Sequence, residues 1–148
     1  EHAAQCGREH RLMSPGLLDT NIVIHAQTND ALAAECRGFL AKLERGEASA
    51  VLDALVLHEL SYALGHYLRQ LTRAQTAAIL LGILQWPGIE AEKDLLSAAI
   101  EIWRDHPQLG FVDAYLGARA TREDRPVFTK NVAHLRRAGA EVPDPLPS

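Results

Sequence analysis

The feature that most restricts the fold of this chain is the alternation, from Gly16 onward, of very short apolar runs with longer helical stripes. Residues 16–18 are an apolar run stopped by Asp19-Thr20-Asn21, which predicts a strand and its turn. Asp30 offers an N-cap to a helix whose Leu32, Cys36, Phe39, Leu40 and Leu43 recur at helical spacing, and Gly46 stops it. Residues 48–52 predict a second strand, and Asp53 is placed to cap a helix over about 54–70. Thr72-Arg73-Ala74-Gln75 has the form of a capping box for a helix that ends before Pro87-Gly88. A short extended piece at Ile89 leads to a helix with Leu95, Leu96, Ala99, Ile102 and Trp103 on one face, broken at His106-Pro107. Residues 111–121 are helical again, and 127–129 predict a third strand. A short helix at 132–138 and a last strand at 140–142 complete the pattern. Strands separated by helices pair in parallel through right-handed crossovers. The predicted class is therefore α/β, a three-layer α/β/α sandwich with a small parallel sheet.

The chain has 148 residues, 47% of them hydrophobic and 23% charged, enough apolar material for one ordinary core. That excludes disordered, collagen-like and coiled-coil proteins. Residues 13–142 are expected to form the single domain, and 143–148 a Pro-rich tail. Residues 1–12 are polar and aperiodic and are expected to be an artificial or upstream-translated extension, with the native start at Met13. The longest apolar stretches, such as 77–84, are too short to cross a bilayer, and no leader opens the chain. Cys6 and Cys36 form neither a CxxC motif nor a disulfide framework. The expectation is a soluble protein of the reducing cytoplasm. A net charge of −4 excludes a globally basic nucleic-acid binder. A local patch remains, because Arg119, Arg122, Arg125, Lys130, Arg136 and Arg137 face only Glu123 and Asp124 in one segment. Two readings of that run stay open, a solvated helix face or a surface for phosphates.

In an open parallel sheet the functional crevice lies at the carboxyl ends of the strands. Asp19 ends the first strand there, either as a cap or as a site carboxylate. Glu59 falls in the row Val56, Glu59, Leu60, Ala63, Tyr67, which would bury it and demand either an arginine partner or a site role. Asp113 stands among Leu109, Leu116, Gly117 and Ala120, as a first-turn acid or a third site carboxylate. Clustered carboxylates repel unless a hard divalent cation relieves them, and Mg²⁺ takes such oxygen ligands. Other chemistry is missing. His58-Glu59 opens an H-E-x-x-H pattern that lacks its second histidine, and no phosphate loop, dinucleotide fingerprint, nucleophile elbow or zinc spacing is present. His25, His66 and His106 are scattered and are expected to be ordinary.

Four segments taken in order resemble the PIN domains: residues 17–21 after a near-terminal strand, Glu59 within 57–60, Asp113 within 111–120, and Thr129-Lys130-Asn131. The similarity spans about Met13 to Val142, and the compact size resembles the VapC-type toxins of toxin–antitoxin pairs. The resemblance implies a metal-dependent endoribonuclease using Mg²⁺ or Mn²⁺, with Asp19, Glu59 and Asp113 as acidic ligands. Asn131 occupies the family's fourth position, where an aspartate is frequent, which leaves one metal rather than two as the preferred reading. His134-Leu135 stands where the family has Asp-Phe. Thr20 and Thr129 would lie beside the ligands, either bonding metal-bound waters or serving turns and caps. Lys130, Arg119 and Arg122 would draw RNA phosphates. With aromatics at 5% and most at core-like positions, RNA is expected to be read by shape and backbone. The resemblance also implies a homodimer and a cognate antitoxin that brings an arginine to the carboxylates. A non-catalytic PIN-like interaction module and a metal-dependent DNase are the alternatives.

Overall fold

The computed structural model describes residues 14–68 and 70–148; the expected extension 1–12, the start at Met13 and Cys6 lie outside the described residues. Three two-residue strands, β1 (Gly16–Leu17), β2 (Ala50–Val51) and β3 (Ile89–Glu90), form a parallel sheet in the order β1-β2-β3. Gly16 pairs with Ala50, and Ala50 with Ile89. The ladder continues past the strands, since Leu18 N–H donates to Val51 O at 2.9 Å and Leu52 N–H to Glu90 O at 2.8 Å. The fold is α/β, as expected, with helices around a small parallel sheet.

The third strand is not the predicted one. Ile89 is buried in the core and pairs with β2, whereas Phe128 is 65% exposed. Segments 127–129 and 140–142 are joined by Val127 N–H donating to Glu141 O at 2.9 Å and form no strand pair. β-propensity describes a residue that fits a half-buried pleated surface, and a run such as Val-Phe-Thr has it wherever it lands.

Seven helices occur among the described residues: α1 (Thr20–Ala26), α2 (Ala33–Arg45), α3 (Ala54–Tyr67), α4 (Arg73–Leu84), α5 (Lys93–Asp105), α6 (Phe111–Glu123) and α7 (Val132–Arg137). The helix α1 replaces the expected turn. Its β-branched Thr20, Ile22, Val23 and Ile24 have poor intrinsic helix preference, and burial of Thr20, Val23 and Ile24 at i, i+3, i+4 overrides it. Asp30 is a turn residue rather than the cap of α2. It accepts from Leu32 N–H, the Thr28 hydroxyl and His25 Nδ1. The Thr28 and His25 bonds hold its carboxyl well below the usual range, at about 2. Asp53 caps α3 through Leu55 N–H at 2.8 Å. The capping box of α4 is complete, Gln75 N–H to Thr72 Oγ1 at 3.1 Å and Thr72 N–H to Gln75 Oε1 at 2.9 Å.

So small a sheet cannot hold itself together, and the helices do that work: α1 packs on α2 and α3, α4 on α3 and α5, and α5 on α6. Leu43, Leu57, Leu60, Leu64, Leu80, Leu84, Leu96 and Ile100 are fully buried between them. Ala120, Leu135, Ala140 and Val142 form a smaller second cluster that seats α7 and the segment after it. No helix among the described residues is long and apolar enough to cross a membrane.

Two close constraints hold the layers in place. Gly88 N–H donates to Leu43 O at 2.8 Å, and Gly88 O accepts from Ala50 N–H at 2.8 Å, so β3 enters against both the end of α2 and β2. A Cβ there would lie 2.2 Å from Ala48 O and 2.5 Å from Leu43 O. Arg73 Nη1 donates to the carbonyls of Trp103 (2.7 Å), Leu109 (2.9 Å) and His106 (3.3 Å), and its guanidinium lies 4.5 Å over the Trp103 ring. It therefore terminates α5 and ties down the loop into α6. Burial pulls the Arg73 pKa below its ordinary value.

Gly88→Ala is expected to lower unfolding stability by about 3 kcal/mol, because backbone rather than a flexible side chain opposes the new methyl. Arg73→Ala is expected to cost about 2–4 kcal/mol through lost charge-assisted bonds and ring packing. Urea denaturation checks both, and an unchanged midpoint in either case contradicts the assignment.

Candidate active site

Asp19 follows the first strand at its carboxyl end and starts α1 with extended backbone (φ −91°, ψ 148°), yet its side chain makes no cap hydrogen bond. The capping reading of this residue is thus not what the structure contains: the carboxylate is exposed and free of a cap. Thr20, next to it, is buried and donates its hydroxyl to Glu59 Oε2 at 3.0 Å. That contact joins β1's exit to α3 across 39 residues.

Glu59 requires a correction. The buried row of α3 is Leu57, Leu60, Ser61 and Leu64, and Glu59 is exposed, as is Tyr67. A row of five positions read at helical spacing leaves the phase of the helix open by one residue, and tertiary packing chose the neighbouring face. The desolvation penalty expected for Glu59 does not arise, and no arginine is paired with it among the described residues.

Asp113 lies in the first turn of α6 and is half-buried. Asn131 Nδ2 donates to Asp113 Oδ2 at 3.3 Å and lies 2.9 Å from His134 Nδ1. Asn131 precedes α7, and its own N–H donates to Thr129 Oγ1 at 2.9 Å, so Thr129 serves the turn. The close seating of α7 makes this possible. Gly117 meets Ala138 so tightly that a Cβ on the glycine would fall 2.5 Å from the Ala138 methyl.

The candidate acids thus stand as two bonded pairs, Thr20–Glu59 and Asp113–Asn131, with Asp19 beside the first. Among the described residues no three His, Cys, Asp or Glu side chains are gathered closely enough to hold a metal ion. The donor chemistry nevertheless fits a hard divalent cation: three carboxylates and an amide, all oxygen donors, with no Lys, Arg or His ion-paired to any of the three acids among the described residues. Exposed large apolar side chains flank them. Leu55 and Tyr62 lie one turn to either side of Glu59 on α3, and Val112 and Leu116 flank Asp113 on α6. The rings of His58 and Phe111 stack between the two helices, with centroids 5.8 Å apart.

The basic segment is less open than its composition suggests. Arg119 pairs with Glu123, Arg125 also approaches Glu123 at 3.7 Å, and Lys130 pairs with Asp144 at 3.4 Å. Arg122 and Arg137 have no carboxylate partner among the described residues. Arg119 and Arg122 line a groove of about 590 Å³ with Lys93 and Tyr115, but Glu92, Asp94 and Glu123 line it too. An adjoining groove of about 410 Å³ at the carboxyl ends of β2 and β3 holds Asp53, Glu90 and again Tyr115.

The aromatics also differ from expectation. Phe39, Tyr62, Tyr67 and Phe128 are all exposed, so half of the eight are available at the surface. Sequence reasoning passed over His58 and Tyr62 as site neighbours. No local signal marks His58 as a neighbour of Phe111, because that contact exists only once α3 and α6 pack; Tyr62 meets the same imidazole from one turn along α3.

The chain matches the PIN domain family model over residues 16–140. No curated protein matches it. PIN domains are in general a metal-dependent nuclease fold that uses divalent cations. With the match extending over most of its length, this chain belongs to the PIN domain family.

Proposed function

We propose that the chain is a metal-dependent endoribonuclease of the cytoplasm, the toxin of a toxin–antitoxin pair related to the VapC-type proteins. The observation that supports the reading best is the state of the acids. Asp19, Glu59 and Asp113 belong to a nuclease family and carry no compensating cation among the described residues, which leaves their charge for a divalent ion.

In this reading Asp19, Glu59 and Asp113 hold the ion, and Asn131 contributes an amide in place of a fourth acid. A bound Mg²⁺ or Mn²⁺ supplies an activated water and stabilises charge on the scissile phosphate. Thr20 fixes the orientation of Glu59 through its hydroxyl, and Asn131 fixes that of Asp113. Arg122, which has no carboxylate partner among the described residues, is the first choice for a substrate phosphate. Arg119 and Lys130 can join it only by exchanging Glu123 and Asp144. The exposed Leu55, Tyr62, Val112 and Leu116 suit an antitoxin segment that combines apolar side chains with an arginine directed at the acids. A second copy of the chain is the other partner in the proposal.

A non-catalytic PIN-like module is the competing reading, favoured by the absence of a gathered acidic cluster among the described residues. Incubation of the purified protein with structured RNA, single-stranded RNA and DNA in EDTA, Mg²⁺ or Mn²⁺ separates the two. Metal-dependent RNA cleavage is expected, with Asp19→Asn and Asp113→Asn each reducing it on the order of a hundredfold or more. Equal cleavage by wild type and variants identifies a contaminant. No cleavage and no metal-dependent rise in melting temperature favours the module, and cleavage of DNA alone favours the DNase.

Arg122→Ala is expected to raise KM by roughly threefold to tenfold with little change in kcat, and to reduce the salt dependence of RNA binding by about one charge. An unchanged KM and salt slope would remove Arg122 from the substrate path.

A further inference from the structure

The described contacts hold Glu59 from the side of α1, through Thr20, and Asp113 from the side of α7, through Asn131. No hydrogen bond joins the two pairs. Their separation therefore depends on how α3 sits against α6. At that junction the His58 ring, adjacent in sequence to Glu59, stacks on Phe111, two residues before Asp113, with centroids 5.8 Å apart and planes 26° from parallel. Tyr62 meets the same imidazole edge-on at 5.9 Å. Phe111 in turn lies edge-on to Trp103 at 6.3 Å, and the Arg73 guanidinium covers that indole. A continuous run of planar groups thus reaches from the loop-anchoring Arg73 to the residue beside Glu59.

The His58 ring makes no polar contact with the other described residues. Its Nδ1 is buried with no hydrogen-bond partner among the described residues, the one such side-chain atom found there, and Nε2 makes no hydrogen bond to them. A side chain that bonds through neither nitrogen acts here as a flat ring. A ring wedged between two helices fixes their spacing more tightly than an aliphatic side chain of similar volume, because stacking prefers particular offsets and orientations.

We propose that His58 is a positioning residue whose ring, stacked on Phe111, sets the distance between Glu59 on α3 and Asp113 on α6 and so their joint affinity for a divalent cation. The proposal rests on the metal-dependent reading above. It assigns the role to the ring plane and none to the imidazole nitrogens.

The test is a Mn²⁺ titration of the whole chain, read as the rise in melting temperature, for wild type, His58→Phe, His58→Leu and Asp113→Asn. His58→Leu keeps an apolar side chain in the pocket, so it is expected to fold, and its half-saturating Mn²⁺ concentration should rise roughly tenfold or more. His58→Phe keeps the stack and removes the unpaired nitrogen; its metal-free melting temperature should equal or exceed that of wild type, and its half-saturating Mn²⁺ should stay within about twofold. If the leucine variant titrates like wild type, His58 is packing only and the proposal fails while the metal reading stands. If the phenylalanine variant is as impaired as the leucine variant, a nitrogen matters rather than the ring, and the proposal fails. If wild type shows no more response to Mn²⁺ than Asp113→Asn, the metal reading itself fails and the positioning role falls with it.

Discussion

Everything in this structure depends on three two-residue strands lying parallel, and parallel pairing needs a crossover between each strand and the next. The consequence is directional. All three strands end at one edge of the sheet, so Asp19 and Asp53 leave it on the same side, together with the residues that follow Glu90. The approach of β3 is permitted by the missing side chain at Gly88, where the end of α2 and the carbonyl of Ala48 leave no space for a methyl group. A sheet this small contributes few hydrogen bonds, and the buried leucines of α2 to α5 supply most of what keeps its edge in place.

The candidate site residues are then positioned by helix contacts of different kinds. Thr20 and Glu59 are joined by a single hydroxyl–carboxylate bond between α1 and α3. Asp113 and Asn131 are joined because Gly117 lets α7 lie directly on α6. At the junction of α3 and α6 the ring of His58 stacks on Phe111, and beyond it lie Trp103 and Arg73. Hydrogen bonds set orientation within each pair, while packing sets the distance between the pairs. The two are separable by mutation, since a side chain can lose its ring without losing its volume.

The surface charge follows the same logic. Six basic side chains between 119 and 137 left a solvated face and a phosphate surface both open, and Glu123 occupies two of them and Asp144 a third. Glu123 is one helical turn from Arg119, a spacing visible in the sequence. Asp144 belongs to the tail, and its return to Lys130 is a tertiary event. Exposed ion pairs of this kind are weak and exchangeable, so they add little to the stability of the fold.

Read alone, the sequence determined the alternation of strands and helices, the Asp53 cap and the capping box of α4, because each is encoded within a few consecutive residues. By resemblance it also made Asp19, Glu59 and Asp113 candidate ligands, with Asn131 in place of a fourth acid. Tertiary structure decided the rest. It turned the β-branched run after Asp19 into α1, made Ile89 rather than Phe128 the third strand, and exposed Glu59 by choosing the face of α3 that carries Leu57, Leu60 and Leu64. In each case the local pattern allowed two outcomes, and burial against segments tens of residues away chose between them. His58 is the extreme example: its neighbour in sequence is a candidate ligand, but its partner Phe111 lies 53 residues further along the chain, and only the packing of α3 on α6 makes them meet.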